Sequence, residues 1–305
     1  MYGPNAAEDL EEHLAILGKE NLNRIRAANE RKISGYFFDR RCVEFIFMAC
    51  DHFHFTPDVR FATVCLFDAF MTLHVNSLWR YVDENCRTEE AFLKDWSAVE
   101  TKLSGQVVLR VVSCIQIASK LSAYGTQLTV ASAKDFLQHM GFCYTEEQIL
   151  KTELRVLKTL NYDVSIRSPL AYVSTLLRLI ANDVQQFGFQ SISTTCQDVL
   201  SFVFMQWDEI FESILPGPIA DQEKKQKIAT LKADYMLLAG GVVASAIELS
   251  PDLCNEPSAL LSLSKRCSIP VEKLKDFRAN VKNSVFKAKK SNMQPIEQRS
   301  SVTKK

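Results

Sequence analysis

The segment from Gln106 to Leu121 constrains the fold of this chain more than any other, because its residues are almost continuously apolar. When the segment is plotted at about 100° per residue, Ser113, Gln116 and Lys120 fall within one narrow polar strip. A helix with so little polar surface is stable in water only when other elements surround it. The segment therefore predicts a central helix around which neighbouring helices pack.

The composition of the 305 residues favours helices throughout the chain. Gly (10 residues) and Pro (9 residues) are few, while strong helix formers are plentiful and period-two alternation is rare. An apolar fraction of 47% is enough for a core in each of two ordinary domains. The sequence thus predicts an all-α protein of two domains.

Charge and hydropathy exclude several classes of partner. Lys+Arg and Asp+Glu both number 36, so the net charge is zero and no chain-wide field attracts nucleic acid or an acidic membrane. The longest uncharged apolar stretch, residues 236–247, is shorter than the roughly 20 residues that span a bilayer, and no signal peptide opens the chain. The nine cysteines form no C-x-x-C pair. We expect a protein of a reducing compartment that binds neither membranes nor nucleic acid directly.

Helix start and stop signals divide the chain into segments. An amphipathic helix is predicted within residues 1–34, a first domain over 35–165, a second over 168–287, and a disordered basic tail over 288–305. Thr145 and Gln148 form a capping-box pattern at the start of a helix that runs to about Leu160. Another helix is predicted over 126–140, and residues 216–227 are predicted to form a loop. In the second domain five helices are predicted, at about 170–180, 195–215, 231–248, 258–265 and 271–286.

Motifs of enzyme chemistry are missing from the sequence. It contains no phosphate-binding glycine loop, zinc-protease motif or nucleophile elbow. His52 and His54 form an H-x-H pair without a neighbouring carboxylate–histidine cluster, which favours packing over metal binding. We expect a non-enzymatic protein with no metal and no cofactor.

The tripeptide Lys19-Glu20-Asn21 matches a degradation signal of cell-cycle proteins. It lies inside the predicted first helix, where extended recognition would require unfolding. A solvated helix face is therefore the favoured interpretation.

Glu153 occupies an unusual position on the helix that follows Thr145. Residues 149, 150, 154, 156, 157 and 160 are apolar, and Glu153 lies near the middle of their face. A carboxylate buried there without a partner would cost several kcal/mol. Two explanations remain open, namely a salt bridge to Lys120 within the chain or a face that docks another molecule.

The segment from about Val75 to Leu103 is longer than a simple connection between helices. Thr88, Glu89 and Glu90 form a helix-start signal, and Phe92, Trp96, Val99 and Leu103 follow on one stripe. A helix is therefore predicted here. Packing against the first domain is favoured over a separate partner surface formed by Phe92, Trp96 and Val99.

Several of these segments resemble a known family. LRVVSCIQIASKL and EEQILKTELRVLKTLNYDV resemble the third and fifth helices of a cyclin box, and VRFATVCLFDAFM resembles the second. The chain as a whole resembles the cyclin N-terminal domain-containing protein 1 family, which is implicated in maturation of meiotic crossovers. The resemblance implies two tandem cyclin-box five-helix bundles, the second of them diverged. It also marks residues near 75–104 as an insertion in the first box.

The resemblance further implies a regulatory function and a site. Lys120 and Glu153 match the pair with which cyclins bind a cyclin-dependent kinase. The kinase-binding residues that the resemblance implies are Lys120, Glu153, Gln116, Ile149, Leu150 and Leu157. The implied protein promotes meiotic crossover maturation in the nucleus, on meiotic chromosomes, with the cytoplasm as a second location. The alternative is a cyclin-fold scaffold that recruits recombination or replication-factor complexes without activating a kinase.

One departure from cell-cycle cyclins concerns their substrate-docking patch. The aligned residues here are Phe38-Asp39-Arg40-Arg41-Cys42, which place charge where those relatives present apolar side chains. We therefore expect weak binding of Arg-x-Leu peptides.

Overall fold

A computed structural model describes residues 4–31, 37–122, 127–185, 187–215, 221–251 and 255–293. Within these ranges every regular element is an α-helix, which confirms the all-α prediction. The helices are α1 (Pro4–Arg31), α2 (Arg40–His52), α3 (Pro57–Asn85), α4 (Glu89–Gly105), α5 (Val107–Leu121), α6 (Val130–His139), α7 (Glu146–Thr159), α8 (Pro169–Asp183), α9 (Phe189–Met205), α10 (Trp207–Ser213), α11 (Asp221–Ala233), α12 (Tyr235–Leu249), α13 (Glu256–Cys267) and α14 (Val271–Met293).

One compact unit, here called the first unit, spans residues 35–171 and is built around α5. This helix contacts α2, α3, α4, α6 and α7, and every residue from Leu109 to Ser119 is buried. The predicted central helix is therefore confirmed. The predicted polar strip is not a surface, however, because Ser113 and Gln116 are buried as well. Ser113 is accommodated by donating its hydroxyl to the Leu109 carbonyl at 3.0 Å.

The start and end of α7 follow local signals in the sequence. Gln148 N donates to Thr145 Oγ1 at 3.2 Å, and Thr145 N donates to Gln148 Oε1 at 2.8 Å, so the capping box is present. After the helix, Asn161 and Tyr162 both adopt left-handed backbone conformations. These local contacts set the length of the helix that carries Glu153.

α6 begins later than predicted, at Val130. Thr129 is its N-cap and accepts a hydrogen bond from Ser132 N at 3.1 Å. The predicted starting residue, Thr126, lies outside the described residues. Gly141 follows the helix with φ +85°, as expected of a residue just beyond a helix end.

α3 and α4 form the region predicted to contain an insertion. Thr88 caps α4 by accepting a hydrogen bond from Ala91 N at 3.2 Å, and α4 packs on α3 and α5. α3 is long and apolar enough to cross a membrane by length and composition alone. Its residues Phe61, Phe67 and Phe70 are buried, and it contacts α2, α5 and α7, as a core helix of a folded domain does.

The other compact unit, here called the second unit, combines residues 1–34 with residues 172–305. Its central helix is α12, whose residues Tyr235 to Ile247 are all buried and which contacts α1, α9, α11, α13 and α14. The described residues of 169–293 form seven helices, α8 to α14, where five were predicted. The predicted loop over 216–227 is wrong from residue 221 onward, because Asp221–Ala233 is helical. Glu223 and Lys227 support that helix with an i,i+4 ion pair at 2.7 Å, and it packs against α1.

The C-terminal prediction is also corrected in part. Disorder was predicted from residue 288, but α14 continues to Met293. Lys287 in this helix forms an ion pair with Glu209 at 3.1 Å. The remainder of the predicted tail, residues 294–305, lies outside the described residues.

α1 packs on α11 and α12 through the stripe predicted for it. Leu17 and Ala28 are buried, and so is Asn21. Asn21 Nδ2 donates to Asp234 Oδ1 at 2.9 Å, while Tyr235 N donates to Asn21 Oδ1 at 2.7 Å. The solvated-face interpretation of Lys19-Glu20-Asn21 is therefore wrong for Asn21, which fastens α1 to the first turn of α12.

Candidate functional site

An ion pair between α5 and α7 lies at the edge of the first unit. Lys120, in the last turn of α5, donates its ammonium to Glu153 Oε1 in the middle of α7. The Glu153 side chain is 11% exposed and the Lys120 side chain is 41% exposed. The salt bridge within the chain is therefore present, and the lysine still faces solvent.

The chemistry of this pair suits recognition of a protein backbone or a polar side chain. An ammonium has three N–H donors, and the bond to Glu153 uses one of them. A carboxylate has two oxygens, and the Lys120 contact engages Oε1. Because Glu153 is largely removed from water, a hydrogen bond to it is stronger than one to an exposed carboxylate.

The two sides of α7 differ in burial, which divides the predicted apolar face. Ile149, Val156 and Leu160 are buried in the core, whereas Leu150 is 50% exposed and Leu157 is half-buried. Glu153 lies at the boundary between the core-facing and solvent-facing residues. The predicted face is therefore two adjoining faces, and only one of them is available to a partner.

Two residues of the predicted kinase-binding set are corrected by their burial. Gln116 and Ile149 are both 0% exposed, so neither contacts a partner in this conformation. The reason is that α2, α3, α4, α6 and α7 enclose α5, and Gln116 faces this interior. Its amide nitrogen and oxygen have no hydrogen-bond partner among the described residues.

Leu154 belongs to the exposed face, although it is not in the predicted kinase-binding set. It is 44% exposed and lies one helical turn from Leu150. Its spacing was visible in the sequence, but periodicity alone assigns Leu154 to the same apolar face as the core residues. The surface set in the structure is Lys120, Leu150, Glu153, Leu154 and Leu157, here called the α5–α7 surface.

A cavity of about 520 Å³ lies next to the C-terminal end of α5, and neither Lys120 nor Glu153 lines it. Ala118 and Leu121, which flank Lys120 on α5, line one wall, and Val164 and Ile166 line another. The remaining lining residues are Asp58, Val59, Ala62, Leu66, Ser122, Ser165 and Arg167. The volume lies within the range of about 300–1,000 Å³ that is usual for binding pockets, so apolar side chains of a partner can enter it. Sequence analysis missed the cavity because its walls come from distant parts of the chain.

The segment aligned with the cyclin substrate patch presents charge at the surface. Asp39 caps α2 by accepting a hydrogen bond from Arg41 N at 2.9 Å, and Arg40 pairs with Glu44 at 2.7 Å. Phe38 is buried, while the Arg41 side chain is almost fully exposed. The one large apolar side chain among residues 38–42 is therefore turned into the protein.

The H-x-H pair has a packing environment. The His52 ring lies 4.9 Å from the Phe53 ring and 5.2 Å from the Phe136 ring, measured between centroids. Across the described ranges, no group of three or more His, Cys, Asp or Glu side chains is arranged to hold a metal ion. His52 therefore packs against phenylalanine rings where α2 meets α6.

Phe92, Trp96 and Val99 are half-buried between α3 and α4. The Phe92 ring lies 5.7 Å from the Trp79 ring and 6.4 Å from the Trp96 ring. This stripe packs the two helices together, which is the role favoured from the sequence. Trp79 and Leu93, which the sequence analysis did not single out, are the more exposed apolar residues here.

Comparisons with known proteins indicate the family to which the chain is related. Residues 28–165 match the model of the family described as the cyclin, N-terminal domain. The chain is also similar to the human protein named cyclin N-terminal domain-containing protein 1, with 30% identity over 258 residues. That match covers 83% of this chain and 78% of the human protein. The mouse protein of the same name is 30% identical over 258 residues, covering 83% of this chain and 77% of its own length.

Proposed function

This chain belongs to the cyclin N-terminal domain-containing protein 1 family of cyclin-fold regulatory proteins, and from that premise we propose that it binds a cyclin-dependent kinase through the α5–α7 surface. The observation that carries the proposal is the Lys120–Glu153 pair, whose glutamate lies on a helix that also presents exposed leucines. Polar groups in an apolar surround give a docked helix both orientation and affinity.

The proposed mechanism is that the protein positions a helix of the kinase and performs no catalytic step itself. In protein kinases a glutamate of the regulatory helix must pair with the lysine that anchors ATP before phosphoryl transfer proceeds. A rigid helical surface held against that kinase helix favours the active arrangement. Lys120 and Glu153 would bind polar groups of the kinase helix, and the cavity would accept one of its apolar side chains.

The proposed setting is the nucleus of meiotic cells, on meiotic chromosomes, where the complex promotes crossover maturation. Support comes from the family resemblance given above, in which the third and fifth cyclin-box helices match most closely. The exposed charges at residues 39–41 further suggest that substrates are chosen by another surface than the usual Arg-x-Leu docking patch.

The test compares binding of purified cyclin-dependent kinases to the wild-type chain and to Lys120→Ala/Glu153→Ala. We expect a stable stoichiometric complex with one kinase for the wild type and none for the double variant, while helicity and melting temperature stay nearly unchanged. The matched control is Lys134→Ala/Glu146→Ala, which removes an exposed ion pair between α6 and α7 and should keep the complex. A complex that survives in the double variant would overturn the proposal. A double variant that unfolds would show that the pair is structural.

The alternative is a cyclin-fold scaffold that recruits recombination or replication factors without activating a kinase. The charged segment at residues 38–42 favours it. Activating cyclins dock substrates on an apolar patch at the aligned position, and this chain presents charge there instead. Co-purification of such factors with a chain that binds no cyclin-dependent kinase would select this alternative.

A further inference from the structure

A second apolar surface lies on α3 and α4, away from the α5–α7 surface in sequence. It consists of Trp79, Phe92, Leu93 and Trp96, here called the aromatic cluster. Trp79 is 44% exposed and Leu93 is 59% exposed, while Phe92 and Trp96 are half-buried between them. Leu93 neighbours Trp96 because the two residues are three positions apart on one helix.

Packing between α3 and α4 does not account for this exposure. Val82 and Leu103 are buried, and Phe92 bridges the helices by its edge contact with Trp79. The outer faces of Trp79 and Leu93 add nothing to that contact and leave large apolar area in water. Tryptophan is among the residues that most often carry binding energy at protein interfaces.

The charged residues that share a helix face with members of the aromatic cluster are acidic. The ionisable residues three or four positions from a cluster member are Asp83, Glu89, Glu90, Asp95 and Glu100. All five side chains are exposed, and none forms an ion pair with a cation in the part of the chain that the structure describes. Arg80 and Lys94 are one or two positions from cluster members, and side chains at those spacings do not face each other on a helix.

We infer that the aromatic cluster docks a basic amphipathic helix of a partner protein. Apolar side chains of that helix cover Trp79 and Leu93, while its Lys or Arg residues pair with the surrounding carboxylates. A cation can also lie over the exposed face of Trp79. The surface is distinct from Lys120 and Glu153, so this inference stands apart from the proposed kinase binding.

Other occupants fit the charges less well. Nucleic acid phosphates and anionic lipids would be repelled by the five carboxylates. A second copy of this chain in a two-fold contact would bring the same carboxylates against one another, because such an interface joins identical surfaces. A basic helix is the partner whose charge is complementary.

The experiment selects roughly 16-residue random peptides, about four helical turns, on the intact chain, with counter-selection on Trp79→Ala/Leu93→Ala. We expect the retained peptides to carry net positive charge and apolar residues at i, i+3 or i+4, and i+7. Binding of the best peptide, followed by fluorescence anisotropy, should weaken by about 10-fold or more in Trp79→Ala/Leu93→Ala. Asp83→Asn/Glu89→Gln/Glu90→Gln should weaken binding and reduce its salt dependence.

Controls separate this surface from others. Leu249→Ala/Leu261→Ala removes two exposed leucines of the second unit and should leave peptide binding unchanged. Lys120→Ala/Glu153→Ala should also leave it unchanged. If Trp79→Ala/Leu93→Ala unfolds, Asp83→Asn/Glu89→Gln/Glu90→Gln replaces it as the protein used for counter-selection. The inference would be overturned if no peptide is enriched, or if the enriched peptides are neutral or acidic. It would also be overturned if the wild-type chain forms a dimer that Leu93→Ala converts to monomer.

Discussion

Two ionisable side chains of the first unit, Glu153 and His74, lie where charge is costly. Glu153 is nearly buried but accepts a hydrogen bond from Lys120. His74 is half-buried, with its ring stacked on Phe70 at 5.2 Å between centroids. Burial and then the charges of Arg110 and Arg155 lower the pKa of His74 from 6.5 to about 4. Burial opposes charge at both positions, and each position gives a residue-scale prediction.

The first prediction compares the two halves of the ion pair. Lys120→Met leaves a nearly buried carboxylate without its cation, which we expect to lower the free energy of unfolding by ~1–3 kcal/mol. Glu153→Gln leaves Lys120 partly in solvent and should cost less. Lys120→Met/Glu153→Gln should recover part of the loss of Lys120→Met. Urea denaturation of the four proteins measures these differences, and equal losses in both single variants would contradict the explanation.

The second prediction concerns His74 and pH. Unfolded chains take up a proton on this side chain near pH 6.5, whereas the folded protein does so only near pH 4. Between these values the unfolded state binds more protons, so the free energy of unfolding falls as the pH is lowered and is unaffected by His74 above this range. His74→Phe should keep the ring stacking and lose less stability between pH 7.5 and 5 than the wild type. Identical losses in urea denaturation would show that other groups dominate.

At the scale of helices, the crossing of α12 and α14 requires glycine. A Cβ at Gly241 would lie 2.2 Å from Phe277 Cδ1, and one at Gly240 would lie 2.9 Å from Leu274 Cδ2. Phe277 and Leu274 are both buried, so their side chains have little room to move. The close approach of these helices therefore depends on the missing side chains of two consecutive residues.

The third prediction pairs two glycine substitutions in helices of the second unit. Gly241→Ala should lower the free energy of unfolding by ~1–3 kcal/mol, because overpacking forces Phe277 or the backbone to shift. Gly18→Ala in α1 has no neighbouring atom within 4 Å and should raise stability by about 0.5–1 kcal/mol through reduced backbone entropy of the unfolded chain. Thermal denaturation distinguishes them, and a tolerated Gly241→Ala would mean that α14 packs more loosely.

At the scale of the whole molecule, each unit has one enclosed helix and a surrounding layer, with α5 in the first unit and α12 in the second. The layer around α12 includes α1, which is distant in sequence. Several polar contacts hold α1 there. Arg24 lies over the Tyr235 ring at 3.6 Å, Thr230 donates to Asn29 at 2.6 Å, and Arg266 pairs with Glu11. The second unit is thus completed by the N-terminal segment.

The fourth prediction is that deletion of residues 1–34 weakens the second unit selectively. Without Asn21, the first backbone N–H groups of α12 lose an acceptor and the buried face of α12 is opened to water. Hydrogen exchange followed by mass spectrometry should show lost protection in residues 221–249 and unchanged protection in 59–71. Asn21→Ala should produce a smaller loss in the same residues. Equal loss in both units would indicate that α1 stabilises the chain in some other way.

Sequence reasoning succeeded where the determining contacts are local. The caps at Thr88 and Thr145 each depend on residues within one turn, so the pattern alone predicts α4 and the start of α7. The prediction of a loop over 216–227 was wrong from residue 221 onward, because the charged segment 221–227 contains no apolar stripe from which helix α11 could be predicted. That helix is stabilised partly by packing against α1, which no local window contains.

In the candidate site, too, features set by nearby residues were predicted, while features set by packing between distant segments were not. The sequence by itself determined that α5 is enclosed, that α7 carries a carboxylate among apolar residues, and that Lys120 is a suitable partner for it. Only the tertiary structure decided that Gln116 and Ile149 face the core while Leu150 and Leu154 face solvent. Periodicity groups side chains by their angle around one helix axis, whereas burial depends on where the neighbouring helices lie. The cavity at the C-terminal end of α5 has the same origin, since its walls come from α3, α5 and the segment after α7.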